Sequence, residues 1–390
     1  MRIGIVTYWD SDDNYGQVLQ CYALQKFFKD RGHAPFLIKY RPEEEKIPLK
    51  YRIESIKNIG HLVDSIYRRI FRRGENKEIE AVRVANITLN KERHFDDFKN
   101  CHIEMSKEVY SSIDDLRNNP PMADVYVTGS DQVWHDSLYL PNVAGWYLQF
   151  GASEIKRYSY AVSMGRSLQK SEEKIFVDYL RKFNCISVRE KGVQEICSRL
   201  GFKSDIVIDP TMLLDAESYR DLEQSMAIEK PYSLIYSINV DTKEDIFGEE
   251  LLKCIRERKE GLIFVSSSGY IPAHKLFEDI PIFFATIPQW LFLIEHASTI
   301  YTTSFHGVVF SILYNKSFYW IPLKGRASKG NGRIIDLLEK LNLSDRILEH
   351  SETLAADEDR NIDWNEVSDR LRALRGSSIN YIEKILGGTQ

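Results

Sequence analysis

The alternation of short apolar strands with amphipathic helices, joined by polar links, constrains this chain more than any other feature. Residues 2–8, RIGIVTY, form a continuous apolar run. The polar WDSDDNYG follows, and QVLQCYALQKFFKDRG then repeats apolar residues at helical spacing until Gly32. APFLIKY (34–40) reads as the next strand. Two strands joined through a helix lie parallel, and a parallel sheet needs both faces covered. The alternation returns at ADVYVTGSDQVW, RYSYAVSMG, NCISVREKGVQEICSRLG and DIVIDPTMLL. It restarts near 230 with YSLIYSIN, a helix over 243–257, GLIFVSSS and STIYTTSFHG. With 390 residues, too many for one ordinary core, the pattern predicts an α/β protein with two parallel-sheet domains in series. The first domain is expected over 1–204 with a charged helical insertion at 43–100, the second over 205–350. A helical tail at 351–390 suits packing back on the first domain.

Composition narrows the function. A net charge of -5 argues against a nucleic-acid binder, which needs a basic excess to neutralise phosphates. Five cysteines at 21, 101, 185, 197 and 254 form no CxxC pair, so they read as reduced thiols in the cytosol and not as a disulfide framework or zinc site. The N-terminal run is too short and too lightly charged for a signal peptide. The most apolar stretches, around 281–294 and 307–323, are interrupted by Pro288, Gln289 and Lys316, so neither offers the ~20 apolar residues that span a bilayer. A cytoplasmic protein is expected, at most touching the inner face of a membrane. The basic YRRIFRRG (67–74) reads either as a solvated helix face or as a contact for an anionic substrate or lipid surface. Nothing in the pattern fixes an oligomeric state.

Ligands of open parallel sheets sit beyond the carboxyl ends of the strands, where helix N-termini favour anions. Each notable motif lies at such an end. Asn14, Tyr15 and Gly16 follow the first strand; Gly129, Ser130, Asp131, Gln132 and Trp134 follow the strand at 124–128; Ser163 and the pair Arg189 and Glu190 close two more. The last joint is Ser304, Phe305, His306 and Gly307. Glycine and polar residues at such joints also serve as turn formers and N-caps, and His306 also reads as a buried, backbone-bonded histidine. In the functional reading Ser304 caps a helix, Gly307 permits close approach, and His306 stands beside an anion in the manner of a general acid. Arg189 either pairs with a carboxylate for structure or presents its planar fork to a phosphate or carboxylate. Lys324, Arg326 and Arg333, in the glycine-rich LKGRASKGNGR, suit either a basic lid over an anionic substrate or a solvated loop. No GxxxxGK[ST] phosphate loop occurs. Trp134, with Tyr15 or Trp9, could stack on a sugar face or belong to the core.

Taken in order, NYGQVLQCYALQ, VTGSDQVW, YAVSMG, SVREKG, DPTMLL, TTSFHG and NGRIIDLLEKLNL resemble the landmarks of the polysaccharide pyruvyl transferase family, from the first strand to about residue 345. The resemblance implies two Rossmann-like domains facing a cleft, similar to the GT-B glycosyltransferases. It implies phosphoenolpyruvate as donor substrate, with no further cofactor and no metal, and a sugar acceptor in a polysaccharide repeat or lipid-linked glycan that receives the pyruvyl group as a ketal. It associates Arg189 and His306 with the donor. The Gly-Asp pair found in the first loop of some members reads Gly16-Gln17 here, so no carboxylate role is carried to that position. For the base that deprotonates the acceptor, Asp131, Asp13 and Glu190 are the candidates. A nucleotide-sugar glycosyltransferase and a non-catalytic glycan-binding protein are the alternatives.

Overall fold

The structure is a computed structural model describing residues 1–43, 89–240, 242–267, 276–277, 280–351 and 361–387. Most of the expected insertion, including the basic segment 67–74, lies outside the described residues.

The first sheet is wholly parallel, in the order β3-β2-β1-β4-β5, built from β1 (Arg2–Val6), β2 (Ala34–Tyr40), β3 (Met105–Tyr110), β4 (Val125–Thr128) and β5 (Lys156–Ser159). Single bridges from Tyr158 to Cys185 and from Val162 to Val188 extend it to β6 (Ser187–Val188), which pairs with β7 (Asp205–Ile206). The first sheet therefore reaches past the 204/205 boundary expected from sequence, and the second begins only with β8 (Tyr232–Ile238). That sheet, also parallel, has the order β11-β10-β8-β9, with β9 (Gly261–Ser267), β10 (Thr299–Thr302) and β11 (Ser317–Trp320). Both are Rossmann-like. Strand order reverses between β1 and β4 in the first and between β8 and β10 in the second, and these switch points are where open sheets bind ligands.

Six helices matter for the site: α1 (Tyr15–Lys29), α2 (Lys191–Arg199), α3 (Ile287–His296), α4 (Phe305–Leu313), α5 (Gly332–Lys340) and α6 (Trp364–Ile385). The helix expected over 243–257 is broken. A 3-10 turn covers Lys243–Ile246, Phe247 takes a left-handed conformation (φ 55°), and the helix proper runs Gly248–Glu257.

Helix α1 is buried on nearly every side and α4 along all nine residues. The reason is a single apolar core that draws on both halves of the chain: Ile3, Leu19 and Val127 from the first join Trp290, Val308 and Phe310 from the second. Tyr15 stacks on Trp290 with ring centroids 5.0 Å apart, a pair worth about 0.5–1.5 kcal/mol beyond its buried area. Arg93 ties the same region across the halves, donating to the Tyr15 hydroxyl and, at 2.6 Å, to the Ser266 carbonyl.

The C-terminal helix α6 returns to the first sheet. Tyr381 donates its hydroxyl to the Ser159 carbonyl at 2.8 Å, and Ser378 accepts the Ile208 N–H at 3.0 Å. Arg375 donates to the carbonyls of Met212 and Leu214. These bonds fix the segment leaving β7.

Candidate active site

The carboxyl ends of the two sheets face each other, and the N-termini of α1 and α4 meet there. Asn14 caps α1, its Oδ1 accepting the Gln17 N–H at 3.2 Å; Ser304 caps α4, its Oγ accepting the Gly307 N–H at 3.3 Å. Two glycines let the joints close. A Cβ at Gly307 would lie 2.2 Å from Thr302 Oγ1, and one at Gly16 would lie 2.0 Å from the His306 ring. A third, Gly129, has φ 105°, and a Cβ there would meet the Tyr160 carbonyl at 2.2 Å. His306 thus rests on the first turn of the opposite domain's helix.

Around it lies a buried charge cluster. Asp209, wholly buried at the end of the β7 segment, receives Arg189 at 2.6 Å and Ser130 Oγ at 3.1 Å on Oδ2, and the Thr211 N–H and hydroxyl at 3.0 and 2.7 Å on Oδ1. The Nε2 of His306 stands 3.6 Å from the same Oδ2. Asp131 takes the other terminal nitrogen of Arg189 at 3.3 Å and Arg333 at 3.5 Å. Both guanidinium groups lie over the Phe305 ring, at 4.6 and 5.3 Å from its centroid.

The protonation states follow from these contacts. Burial alone would raise the Asp209 carboxyl, but His306, Arg189 and Thr211 outweigh it and hold the group far below the usual carboxylate range. At Asp131 burial is likewise outweighed, by Arg189, Arg333 and His306, and the carboxyl is held low. Burial would lower Arg189, but Asp209, Asp131 and Glu190 raise it. Burial and the neighbouring Arg189 push Arg333 down to about 10, the mark of a cation short of counter-charge. Three polar atoms aimed into the cluster are buried without a hydrogen-bond partner among the described residues: His306 Nε2, Arg189 Nε and Arg333 Nε. Buried donors without partners are costly, and an anion between them would satisfy them.

Of the residues singled out from sequence, Asn14, Gly16, Gly129, Ser130, Asp131, Arg189, Ser304, Phe305, His306, Gly307 and Arg333 come together here. Ser163 and Glu190 sit beside the cluster but bond each other: the Ser163 hydroxyl and the Met164 N–H donate to the Glu190 carboxylate at 3.0 and 3.1 Å. Gln132 faces an adjacent cavity. The aromatic expectations fail. Trp134 is fully buried and stacked on Tyr147, and Tyr15 is fully buried against Trp290, so neither ring has a face free for a sugar. Trp9 turns its indole N–H to the Tyr40 carbonyl. Lys324 is exposed, its ammonium 5.2 Å from the Phe247 ring centroid, and the side chain of Arg326 lies outside the described residues. Asp131, expected as a base, is an ion-paired anchor whose depressed basicity suits it poorly to that task. Asp209 is the central residue that the sequence carried within DIVIDPTMLL with no role given to it; its signal was an Asp-Pro step at a strand end, like the other joints.

A cavity of about 220 Å³ opens beside the cluster, lined by Arg189, Asp209, Phe305 and Arg333, with Leu337 and Leu374 as an apolar wall. A second, of about 240 Å³, shares Arg333 and lies between the two domains.

Two Rossmann-like domains that meet at their switch points over such a cluster define a GT-B-like protein. The fold superposes on the UDP-L-rhamnose complex of Arabidopsis thaliana UGT89C1 with a TM-score of 0.50 at 11% identity, over 99% of this chain and 98% of that one. Calicheamicin glycosyltransferase CalG4 gives 0.44 at 14% identity, over 99% and 98%, and Neisseria meningitidis UDP-GlcNAc 2-epimerase gives 0.45 at 7%, over 99% and 100%. The first of these likenesses speaks to fold alone. No curated protein shows a significant sequence match. The family model of polysaccharide pyruvyl transferase matches residues 14–325, and the chain belongs to that family. Among the described residues no helix is long and apolar enough to cross a membrane.

Proposed function

We propose that this transferase takes the pyruvyl group of phosphoenolpyruvate and sets it as a ketal across two hydroxyls of a sugar in a surface polysaccharide or its lipid-linked precursor. The observation that carries the reading is the set of three orphaned buried nitrogens, on His306, Arg189 and Arg333, gathered at the N-terminus of α4. A small donor carrying both a carboxylate and a phosphate matches them.

The residues divide the work. Arg333, with a single 3.5 Å contact to Asp131, is the guanidinium free to turn to the donor, whereas Arg189 spends its fork on Asp209 and Asp131 and offers Nε. Helix N-termini favour anions, and α4 begins at this cluster. His306 protonates the methylene carbon of the enol, leaving oxocarbenium character at the carbon that bears phosphate. One sugar hydroxyl adds there and loses its proton. The C–O bond to phosphate breaks with its electron pair going to phosphate, and the neighbouring hydroxyl closes the ring with loss of its own proton. One proton has gone to carbon, two have left hydroxyl groups, and inorganic phosphate departs carrying one. Asp209 supplies a fixed negative charge beside His306 during the transfer. The site is expected to work on the cytoplasmic side, where phosphoenolpyruvate is made, with at most peripheral membrane contact.

The test is to incubate the protein with phosphoenolpyruvate and candidate glycosides, following inorganic phosphate and the pyruvyl mass increment on the sugar. Both should appear together and only with acceptor present. Release of nucleotide from a nucleotide-sugar in place of phosphate from phosphoenolpyruvate would replace this reading with glycosyl transfer.

A further inference from the structure

The scheme above needs a base for the acceptor, and none of the three carboxylates expected from sequence is well placed. Asp131 is ion-paired twice, Glu190 is bonded by Ser163 and Met164, and Asp13 accepts the Ser11 hydroxyl at 3.2 Å. The second cavity offers a different group. It opens between the domains, with Gln132 and His135 from the first and Asn239, Thr303, Asn331 and Arg333 from the second. Its chemistry is that of neutral amides, the Thr303 hydroxyl, one imidazole and two cations, Lys329 and Arg333. Unlike the charge cluster, it has no carboxylate in its wall among the described residues.

We infer that this cavity holds the hydroxyl pair of a single acceptor sugar ring and that His135 is the base that deprotonates it, an inference that rests on the pyruvyl-transfer reading. The tautomer of His135 is fixed by its surroundings. Its Nδ1 lies 3.2 Å from the Met164 carbonyl oxygen, which can only accept, so in the neutral ring Nδ1 carries the proton and Nε2 carries the lone pair. The ring is exposed and lines the cavity, so Nε2 is the nitrogen open to a ligand. The Met164 loop thereby orients the base through one nitrogen and leaves the other to accept a proton.

The wall provides for the sugar. Asn331 donates its amide N–H to the Leu323 carbonyl at 2.9 Å, leaving Oδ1 buried without a partner among the described residues, an acceptor suited to a sugar hydroxyl. Gln132 and Lys329 in the same wall supply donors, leaving the Nε of Arg333 to the phosphoenolpyruvate. Because Arg333 lines both cavities, an acceptor seated here lies next to a donor seated at the charge cluster. At about 240 Å³ the space falls below the roughly 300–1,000 Å³ of drug-sized sites, in keeping with one ring and not a nucleotide sugar. In the step assigned to it, His135 Nε2 takes the proton of the first hydroxyl as its oxygen bonds the donor carbon, then passes that proton to the departing phosphate. It then takes the second hydroxyl's proton and loses it to solvent, from which His306 regains the one it gave to carbon.

The experiment uses the full chain, phosphoenolpyruvate and a panel of methyl hexopyranosides differing in axial and equatorial hydroxyls. Saturation-transfer NMR reads glycoside binding and phosphate release reads turnover. His135→Ala is expected to lower kcat about 10²-fold or more with the KM for phosphoenolpyruvate unchanged, and added imidazole should restore part of the rate. Asn331→Ala should raise the glycoside KM about tenfold and weaken the NMR signal. A His135→Ala protein that keeps its rate, or whose loss imidazole does not restore, overturns the base. Glycosides that fail to bind the wild-type protein, or bind Asn331→Ala equally well, overturn the sugar site. Wild-type protein that binds glycosides yet never releases phosphate from phosphoenolpyruvate sinks the pyruvyl-transfer reading and the base with it, leaving the sugar site standing.

Discussion

The imidazole of His306 fills the space that a side chain at position 16 would need, so the first turn of one domain's helix is shaped around a ring carried by the other. A Cβ at Gly16 would approach the ring to 2.0 Å, and the ring would have to move. Gly16→Ala should therefore lower turnover about 10²-fold, since a displacement near 1 Å is enough to spoil a reacting geometry. Stability should fall by about 1–3 kcal/mol from overpacking. Phosphate release and a urea midpoint measure the two effects, and full turnover in this variant would mean that His306 does not act from its observed position.

His306→Asn should cost about 10²–10⁴-fold in kcat if the ring is the proton donor. Its thermal midpoint should fall as well, because the ring stands 3.6 Å from Asp209 Oδ2 and helps hold that buried carboxylate ionised. Stopped-time phosphate assays at saturating phosphoenolpyruvate are the check, and a loss confined to KM would reassign His306 to binding.

Asp209→Asn removes the carboxylate on which Arg189, Ser130, Thr211 and His306 converge. Leaving Arg189 with Asp131 alone should destabilise the fold by on the order of 3 kcal/mol. The pH dependence has a definite sign. The Asp209 carboxyl is depressed in the folded state, so its contribution is present above the ordinary carboxylate value of ~3.9 and is lost as pH falls through the folded value. Wild-type denaturation curves should steepen in their pH dependence below about pH 4, and the variant's should be flatter there.

Glu223 behaves oppositely. Burial, with the neighbouring Glu295 carboxylate, pushes its carboxyl up to about 8. A folded value above the unfolded one means that the contribution is fully present below ~4.3 and is lost as pH rises through about 8. Glu223→Gln should therefore raise the thermal midpoint relative to wild type at pH 9 and change it little at pH 5. Equal shifts at the two values would show that the Glu223 carboxyl is not raised in the folded protein.

Much of the fold could be read from residue order because parallel strands buried on both faces are continuous apolar runs, as in β1 and β8. Two strands escaped. β3 is an edge strand with an exposed middle, so MSKEVY carries no apolar run. β11 follows Asn315, whose left-handed backbone (φ 53°) turns the chain inside a stretch apolar enough to pass for one long helix. The site was legible where strand ends named it, and Arg189, Asp131 and His306 do converge. Which carboxylate serves which cation was not, since residues 131, 189, 209 and 333 meet only in three dimensions. Tyr15 and Trp134 show a second limit: an aromatic after a strand reads the same whether it faces a ligand or, as here, a stacked partner in the core.

The apolar core shared by the two halves has a bearing on how such a protein trades its small molecules. Prying the lobes apart would strip Tyr15 from Trp290 and break the Arg93 tether, wetting rings that are dry at rest. An opening at the rim would cost less: the segment of 3-10 turns at Gly325–Gly330, exposed at 325, 328 and 329, leads directly into the turn that presents Arg333. The hinge of this machine, on that view, is a doorway and not a jaw.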